Sequence, residues 1–158
     1  MTAKLFNVRE FRDALGRFAS GVTIITAVDG QRTHGMTANA FVSVSLDPPL
    51  VLVSLDNRSQ IHRILSSADR FGVSVLAEDQ RDLSEHFAGR AVREARFVSR
   101  VGTPVVEGAI AYFVSHVVDV HEAGDHTLYI GRVEHYEARN DKPLLFYAGK
   151  YGQLRGEA

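Results

Sequence analysis

The residues with the clearest chemical potential lie between His34 and Ser59. Thr37 and Asn39 supply a hydroxyl and an amide, and Ala38 and Ala40 separate them with small side chains. Such groups can satisfy the polar edge of a flat ring such as isoalloxazine, while small residues let the ring approach the backbone. The pattern predicts a small-residue loop that contacts a flat cofactor, although Thr-Ala-Asn-Ala alone is a weak motif.

A second feature is the polar turn Asp56-Asn57-Arg58-Ser59. Apolar residues follow it at helical spacing, which makes Ser59 the predicted N-cap of a short helix. Unpaired backbone N–H groups at a helix start attract an anion, and Arg58 adds a charge-assisted donor, so this turn suits a phosphate. A simpler interpretation, which local evidence alone favours, is that Asn57 and Ser59 only cap the helix.

Two predicted strands connect these features. The alternation in 41–45 predicts a strand that Asp47-Pro48-Pro49 interrupts, because proline fixes φ and lacks an N–H donor. A second strand is expected over Leu50–Leu55. Upstream, Gly21 precedes a predicted strand over 22–28, and Asp29-Gly30 is a turn signal.

The predicted helices are short. Asn7 and Glu10 resemble a capping box, so a helix is expected from Val8 to Phe18, with Phe11, Leu15 and Phe18 packed on the core. A second helix is expected over 78–87, with Gly89 at its end.

Further strands are expected over 71–76, 109–121, 127–136 and 144–148. Strands outnumber helices, which favours a mainly β fold with an antiparallel barrel. The chain contains neither the Gly-x-Gly-x-x-Gly sequence of a Rossmann site nor a P-loop sequence.

The composition narrows the class of partner. The 158 residues predict a single domain over 1–158, and 18 basic against 19 acidic residues give no field for nucleic acid or membrane binding. Cysteine is absent, which excludes disulfides and thiolate catalysis. The N-terminus has no long apolar region, so we expect a cytoplasmic protein.

The seven histidines do not predict a metal site. His116 and His121 lie five residues apart on one strand and therefore point to opposite faces, and His62 and His86 belong to separate helices. His126 differs because it follows Gly-Asp in a turn between two long strands, where a side chain can overhang a pocket. An ordinary turn histidine would look the same.

Six segments carry a resemblance to a known family: FRDALGRFASGVTIIT (11–26), GMTANAFVSVSLDPPLVL (35–52), FGVSVLAEDQ (71–80), SEHFA (84–88), GDHTLYIGRVE (124–134) and PLLFY (143–147). In this order they resemble the short-chain flavin reductases of two-component flavin-dependent monooxygenases, in the flavin-reductase-like, FMN-binding split-barrel group. One departure is Ser74, where the family typically has asparagine.

The resemblance implies a homodimer of split β-barrels with a few short helices. It implies an NAD(P)H:flavin oxidoreductase that transfers hydride from NADH or NADPH to FMN or FAD and supplies reduced flavin to a partner monooxygenase. The sequence does not choose between the two flavins or between the two nicotinamide nucleotides.

The resemblance also implies a set of site residues. The isoalloxazine and ribityl would contact Thr37, Ala38, Asn39 and Ala40, preceded by His34, Gly35 and Met36. The ribityl chain and phosphate would follow Ser54, Leu55, Asp56, Asn57, Arg58, Ser59 and Gln60. Ala88, Gly89 and Arg90 would close the phosphate or adenylate end, and the nicotinamide would be bordered by His126, as the catalytic residue, with Tyr151 and Gly152.

Two alternatives remain at this stage. A flavin- or haem-binding barrel could store or sense a cofactor without oxidising NAD(P)H. A pyridoxamine-phosphate-oxidase-like enzyme is disfavoured, because the chain lacks a basic cluster for a second phosphate.

Overall fold

The computed structural model describes residues 6–156. Its helices are α1 (Val8–Leu15), α2 (Gln60–Leu65) and α3 (Arg81–Phe87), and a 3-10 turn, Glu78–Gln80, precedes α3. Its strands are β1 (Ser20–Gly21), β2 (Thr23–Asp29), β3 (Arg32–Ala38), β4 (Phe41–Leu46), β5 (Pro49–Asp56), β6 (Arg70–Val75), β7 (Phe97–Arg100), β8 (Thr103–Val106), β9 (Ala111–Ala123), β10 (His126–Ala138), β11 (Leu144–Tyr147) and β12 (Lys150–Gln153). None of the helices within 6–156 has the length and apolarity to cross a bilayer.

Seven of the strands form one antiparallel sheet in the order β3-β2-β6-β9-β10-β5-β4. Its edge strands β3 and β4 are joined by only two residues, and the carbonyl of Ala40 there accepts a hydrogen bond from the Ser54 N–H at 3.1 Å. The sheet therefore curls into a barrel that is not closed by a continuous ladder. The prediction of a mainly β split barrel with a few short helices is confirmed.

Side chains fill the inside of the barrel. Val51, Val53 and Leu55 alternate inward along β5, and the Phe71 and Tyr129 rings pack with them. A Cβ atom at Gly131 would lie 2.6 Å from the Phe71 ring, so only glycine fits under it. Because the interior is packed, a ligand site must lie on the outside of the barrel.

Helix α3 packs unusually close to β3. A Cβ atom at Gly35 would lie 2.5 Å from the ring of Phe87, so the missing side chain lets the helix approach the strand. The Thr37 hydroxyl then reaches the Ser84 carbonyl and donates a hydrogen bond of 2.6 Å. These two contacts fix the helix against the residues that were predicted to contact a cofactor.

The prediction of a loop over 37–40 is wrong for Thr37 and Ala38, which belong to a strand. Residues 32–38 form β3, which pairs with β2 along its whole length, and only Asn39 and Ala40 connect β3 to β4. Small residues have weak local strand preference, so this strand depends on its partner.

The prediction for the first helix is wrong in two respects. Helix α1 ends at Leu15, and its apolar side chains do not pack on the core: Phe11 is 48% exposed, Leu15 59% and the following Phe18 85%. An amphipathic pattern identifies a helix face that needs cover but does not say what covers it.

The other predicted strands are present with ends shifted by at most two residues, whereas β1, β7, β8 and β12 were not predicted. The helix predicted over 78–87 begins as the 3-10 turn and becomes α-helical at Arg81. Its end at Gly89 is as expected, since Gly89 has a φ of 74°.

Candidate functional site

A cavity of about 180 Å³ lies on the outside of the barrel where β3, α3 and the β11–β12 hairpin meet. Its walls come from three parts of the chain, and the lining residues are Val22, Thr37, Ala38, Asn39, Ser84, Ala88, Arg90, Phe146 and Tyr151. The structure thus brings together residues 37–39, Ala88, Arg90 and Tyr151, which are far apart in sequence.

Ser84 holds these walls together. Its side chain is fully buried, its carbonyl accepts the hydrogen bond from Thr37, and its Oγ lies 2.8 Å from the hydroxyl oxygen of Tyr151. The Arg81 guanidinium lies 5.0 Å from the centre of the Tyr151 ring, and the Phe146 ring meets it edge-on at 5.4 Å. The Tyr151 side chain is therefore held from several sides.

Two polar side chains in the cavity have unused hydrogen-bond donors, the amide of Asn39 and the guanidinium of Arg90. Within residues 6–156, the side chains of Asn39 and Arg90 have no hydrogen-bond or ion-pair partner, whereas the Thr37 hydroxyl hydrogen is already used. Phe146 and Tyr151 supply aromatic cover beside them. Free donors next to apolar walls fit a flat ring with acceptor atoms on its edge and an anionic tail.

A second group of predicted residues surrounds the turn after β5. Arg58 donates two side-chain hydrogen bonds to the Asp56 carboxylate, at 3.1 and 2.8 Å, and these hold the pKa of Asp56 well below its usual range. The Ser59 hydroxyl accepts a hydrogen bond from the His62 N–H, so the predicted N-cap of α2 is confirmed. The capping interpretation and a ligand role for the rest of this turn are compatible.

His126 lies beside this turn as the first residue of β10, opposite Asp56 of β5. Its Nδ1 lies 2.7 Å from the Asp125 carboxylate, and this hydrogen bond lowers the pKa of Asp125. Thr127 donates to the Asn57 side-chain oxygen at 2.7 Å, which locks the turn to the β9–β10 hairpin. His126 is therefore positioned by a carboxylate while part of its ring remains exposed.

Strand β5 links the cavity to the turn. Ser54 follows the Ala40 contact, and Asp56 lies two residues later on the same outward face, roughly 7 Å along the strand. The intervening Leu55 points into the core. A ligand that extends from Asn39 along the outside of β5 would reach the turn.

Comparison with known proteins identifies the family. The profile of the flavin reductase like domain matches residues 15–155. An NADH-dependent flavin reductase of a Rhodococcus species is 51% identical over 148 residues, which are 90% of this chain and 84% of the relative. The chain belongs to the flavin reductase like family.

Two further relatives agree with this assignment. The reductase component of a Thermus thermophilus 4-hydroxyphenylacetate 3-monooxygenase is 41% identical and covers 87% of this chain and 89% of its own length. The Streptomyces globisporus NADH:FAD oxidoreductase SgcE6, solved with NAD and FAD fragments, superposes with a TM-score of 0.89 at 33% identity over 99% of both chains. The predicted flavin reductase resemblance is confirmed.

Several family-matched residues have structural contacts in this chain. Met36 and Leu55 pack in the core, so their side chains face away from the cavity, and Gly35 lies under the Phe87 ring. Within residues 6–156, the buried Nε2 atom of His34 has no hydrogen-bond partner. The assignment of these residues to the cofactor site stays a prediction. For Met36 and Leu55 it applies only to backbone atoms, because their side chains pack in the core.

Four residues that shape the cavity were not among the predicted site residues, and one of them is the buried Val22. Ser84 and Phe146 fall in segments that carried the resemblance, but they look like ordinary helix and strand residues there. Arg81 precedes Ser84 by nearly one helical turn. Only the long-range contact of α3 with the β11–β12 hairpin gives the other three residues their role.

Replacing Tyr151 with Phe tests the fixed wall of the cavity. The change removes the hydrogen bond to Ser84 but keeps the ring, so we expect flavin affinity to fall about fivefold, the effect of one lost hydrogen bond. Quenching of flavin fluorescence measures the affinity. Tyr147→Phe, on the same hairpin but outside the cavity, is the matched control; equal affinities for the two variants would show that the bond to Ser84 does not shape the site.

Proposed function

We propose that the protein is an NAD(P)H:flavin oxidoreductase that transfers hydride from a nicotinamide nucleotide to FMN or FAD and delivers the reduced flavin to a monooxygenase. The observation that supports this best is the cavity in which a free Asn39 amide and a free Arg90 guanidinium adjoin Phe146 and Tyr151. When bound there, the flavin supplies the hydride acceptor, and the protein supplies orientation and apolar cover.

The proposed ring site is the segment 37–40. Thr37 donates to Ser84, so its oxygen can only accept a hydrogen bond, and the Asn39 amide can donate. Tyr151 and Phe146 would border one face of the ring. One side of a ligand in this cavity therefore meets protein, and hydride transfer requires that the other side stay open to a second ligand.

The proposed phosphate site is the turn 56–60. The bonds to Asp56 use two of the three guanidinium nitrogens of Arg58 and leave Nη1 available. The Ser59 hydroxyl accepts from His62 and keeps its own hydrogen for donation, and the Gln60 side chain is exposed. These donors suit an anion better than Asn57, whose side-chain nitrogen already donates to the Gly124 carbonyl at 3.4 Å.

His126 is the proposed polar contact on the nicotinamide side. Its Asp125 partner stays ionised because the hydrogen bond from His126 lowers the pKa of that carboxyl group. An ionised partner favours a proton on Nδ1 and orients the ring, which leaves Nε2 for a ligand.

We keep the cytoplasm as the proposed compartment, since the reaction consumes a reduced nicotinamide nucleotide.

The proposed function predicts flavin-dependent oxidation of NADH or NADPH. Purified protein should oxidise the nucleotide, followed at 340 nm, only when FMN or FAD is present, because amino-acid side chains do not accept hydride and the flavin does. All four combinations of flavin and nucleotide are to be compared. Flavin binding without nucleotide oxidation in any combination would favour the storage interpretation.

Replacing His126 with Ala should slow hydride transfer or raise the KM for the nucleotide by roughly tenfold, as expected for a lost charge-assisted contact. Flavin affinity should stay nearly unchanged, since His126 lies outside the ring cavity. His121→Ala is the matched control, because His121 forms the same kind of pair with Asp119 on the neighbouring strand. If the two variants behave alike in rapid-mixing kinetics, His126 has no role in the reaction.

We also propose that the protein is a homodimer and that a flavin-dependent monooxygenase accepts its product. The outer face of the barrel supports self-association: Val42, Leu52 and Ile130 form an apolar row across β4, β5 and β10, and Leu46 is 96% exposed. A contiguous exposed apolar row of this kind is typical of an interface. The monooxygenase partner is supported by the relatives that are reductase components of monooxygenases.

Light scattering tests the homodimer. The protein should have twice the mass of one chain, and Val42→Glu should shift it toward one chain mass, because a charge in the apolar row must be desolvated on association. Val92→Glu, at a fully exposed loop position, should leave the mass unchanged. A single-chain mass for the unmodified protein at micromolar concentration would contradict the proposal.

A further inference from the structure

The turn 56–60 is attached to the barrel at both of its ends, and both attachments come from the inner face of β10. Thr127 and Tyr129 lie two residues apart on this strand, so their side chains point to the same side, and both are buried. The Thr127 hydroxyl donates to the Asn57 side chain near the start of the turn. The Tyr129 hydroxyl contacts His62, in the first turn of the helix that follows. Strand β10 therefore holds the turn from two sides.

The contact between Tyr129 and His62 has a defined direction. Tyr129 is 1% exposed, and burial raises the pKa of its hydroxyl, which therefore keeps its proton and donates. Nδ1 of His62 lies 2.8 Å from the hydroxyl oxygen, whereas the His62 carbonyl oxygen lies at 3.4 Å, so Nδ1 is the better acceptor. The two rings also meet edge-on, with their centres 5.9 Å apart. The hydrogen bond and the ring contact together orient His62 against the barrel.

His62 connects this buried contact to the polar residues of the turn. Its backbone N–H donates to the Ser59 hydroxyl at 3.1 Å. The neighbouring Arg63 side chain donates to the Arg58 carbonyl at 3.2 Å. Arg58 and Ser59 are therefore held by the same helical turn that the Tyr129 hydroxyl fixes.

The hydrogen bond supplies a directional contact that the rest of α2 lacks. Ile61, Ile64 and Leu65 attach the helix to the core, but apolar contacts are not directional. If the helix turned or slid, the Tyr129 hydroxyl would stay in the core without its acceptor, which is unfavourable for a buried polar group. The donors of the turn are thus arranged before a ligand arrives, and preorganised donors bind more tightly because less entropy is lost on binding.

We propose that Tyr129 and His62 are positioning residues that strengthen the preference of the protein for phosphorylated flavins over riboflavin. Both act through the placement of the donors in the turn 56–60. The proposal rests on the proposed flavin reductase function and on the phosphate site at this turn. It concerns the phosphate alone, because other residues line the ring cavity.

The test compares FMN with riboflavin, which has the same ring and ribityl chain but no phosphate. Dissociation constants of both are measured by flavin fluorescence, and their ratio reports the contribution of the phosphate. The first variant is Tyr129→Phe, which keeps the buried ring and removes the hydroxyl. Tyr136→Phe is the matched control, because Tyr136 lies on the same strand, is 68% exposed and has no hydrogen-bond partner for its hydroxyl within residues 6–156.

Tyr129→Phe should reduce the preference for FMN about fivefold, the effect of one lost hydrogen bond, while riboflavin affinity changes less than about twofold. His62→Leu should reduce the preference at least as much, because it leaves the buried hydroxyl without its acceptor. His62→Asn should keep most of the preference, since the side-chain oxygen of asparagine can accept the same hydrogen bond. Adding Tyr129→Phe to His62→Leu should cause no further loss, because both changes remove one shared bond.

Thermal midpoints of all variants separate this role from a purely structural one, which would lower the midpoint and leave the ratio of the two dissociation constants unchanged. An unchanged ratio in Tyr129→Phe, or the same change in Tyr136→Phe, would overturn the proposal. If the unmodified protein binds FMN no more tightly than riboflavin, the phosphate site at 56–60 is wrong and the proposal fails with it. If it prefers FMN and oxidises NADH while the variants match the control, only the positioning role of Tyr129 and His62 is wrong.

Discussion

The close contact of Phe87 with Gly35 is the constraint on which the candidate site depends. Because position 35 has no side chain, α3 approaches β3 closely enough for Thr37 to reach the Ser84 carbonyl. Ser84 is then placed to hold Tyr151 through its hydroxyl. A larger residue at position 35 would push the helix outward, and both walls of the ring cavity would move with it.

The packed interior explains why the site is outside the barrel and shared among several elements. Phe71, Tyr129 and Gly131 leave no space inside, so the depression forms where the two-residue link between β3 and β4 meets α3 and the β11–β12 hairpin. Such a site is shallow, and it extends naturally toward α1 and along β5. Shallowness agrees with a flavin that must leave after reduction, because a fully enclosed ligand would dissociate slowly.

Local chemistry predicted much of the fold. Alternation identified the long strands, and the Ser59 cap followed from a polar residue placed before a helical repeat. Strand β3 was missed because Gly35, Thr37 and Ala38 show no local strand preference and pair only through β2. The exposed face of α1 was misjudged because a periodic pattern does not tell a core from another covering surface.

The candidate site was predicted in part, and the missing part depends on tertiary contacts. The resemblance placed residues 37–39, Ala88, Arg90 and Tyr151, and the structure brings them together. Ser84 and Phe146 have no local signal, since their roles arise only when α3 meets a hairpin more than 50 residues later in the chain.

A crystal structure of the protein with FMN tests the central claim most directly. The account predicts an isoalloxazine ring in the cavity between Asn39 and Tyr151, with the amide of Asn39 at the ring edge. A ring bound at another surface, with this cavity left to solvent, would contradict it.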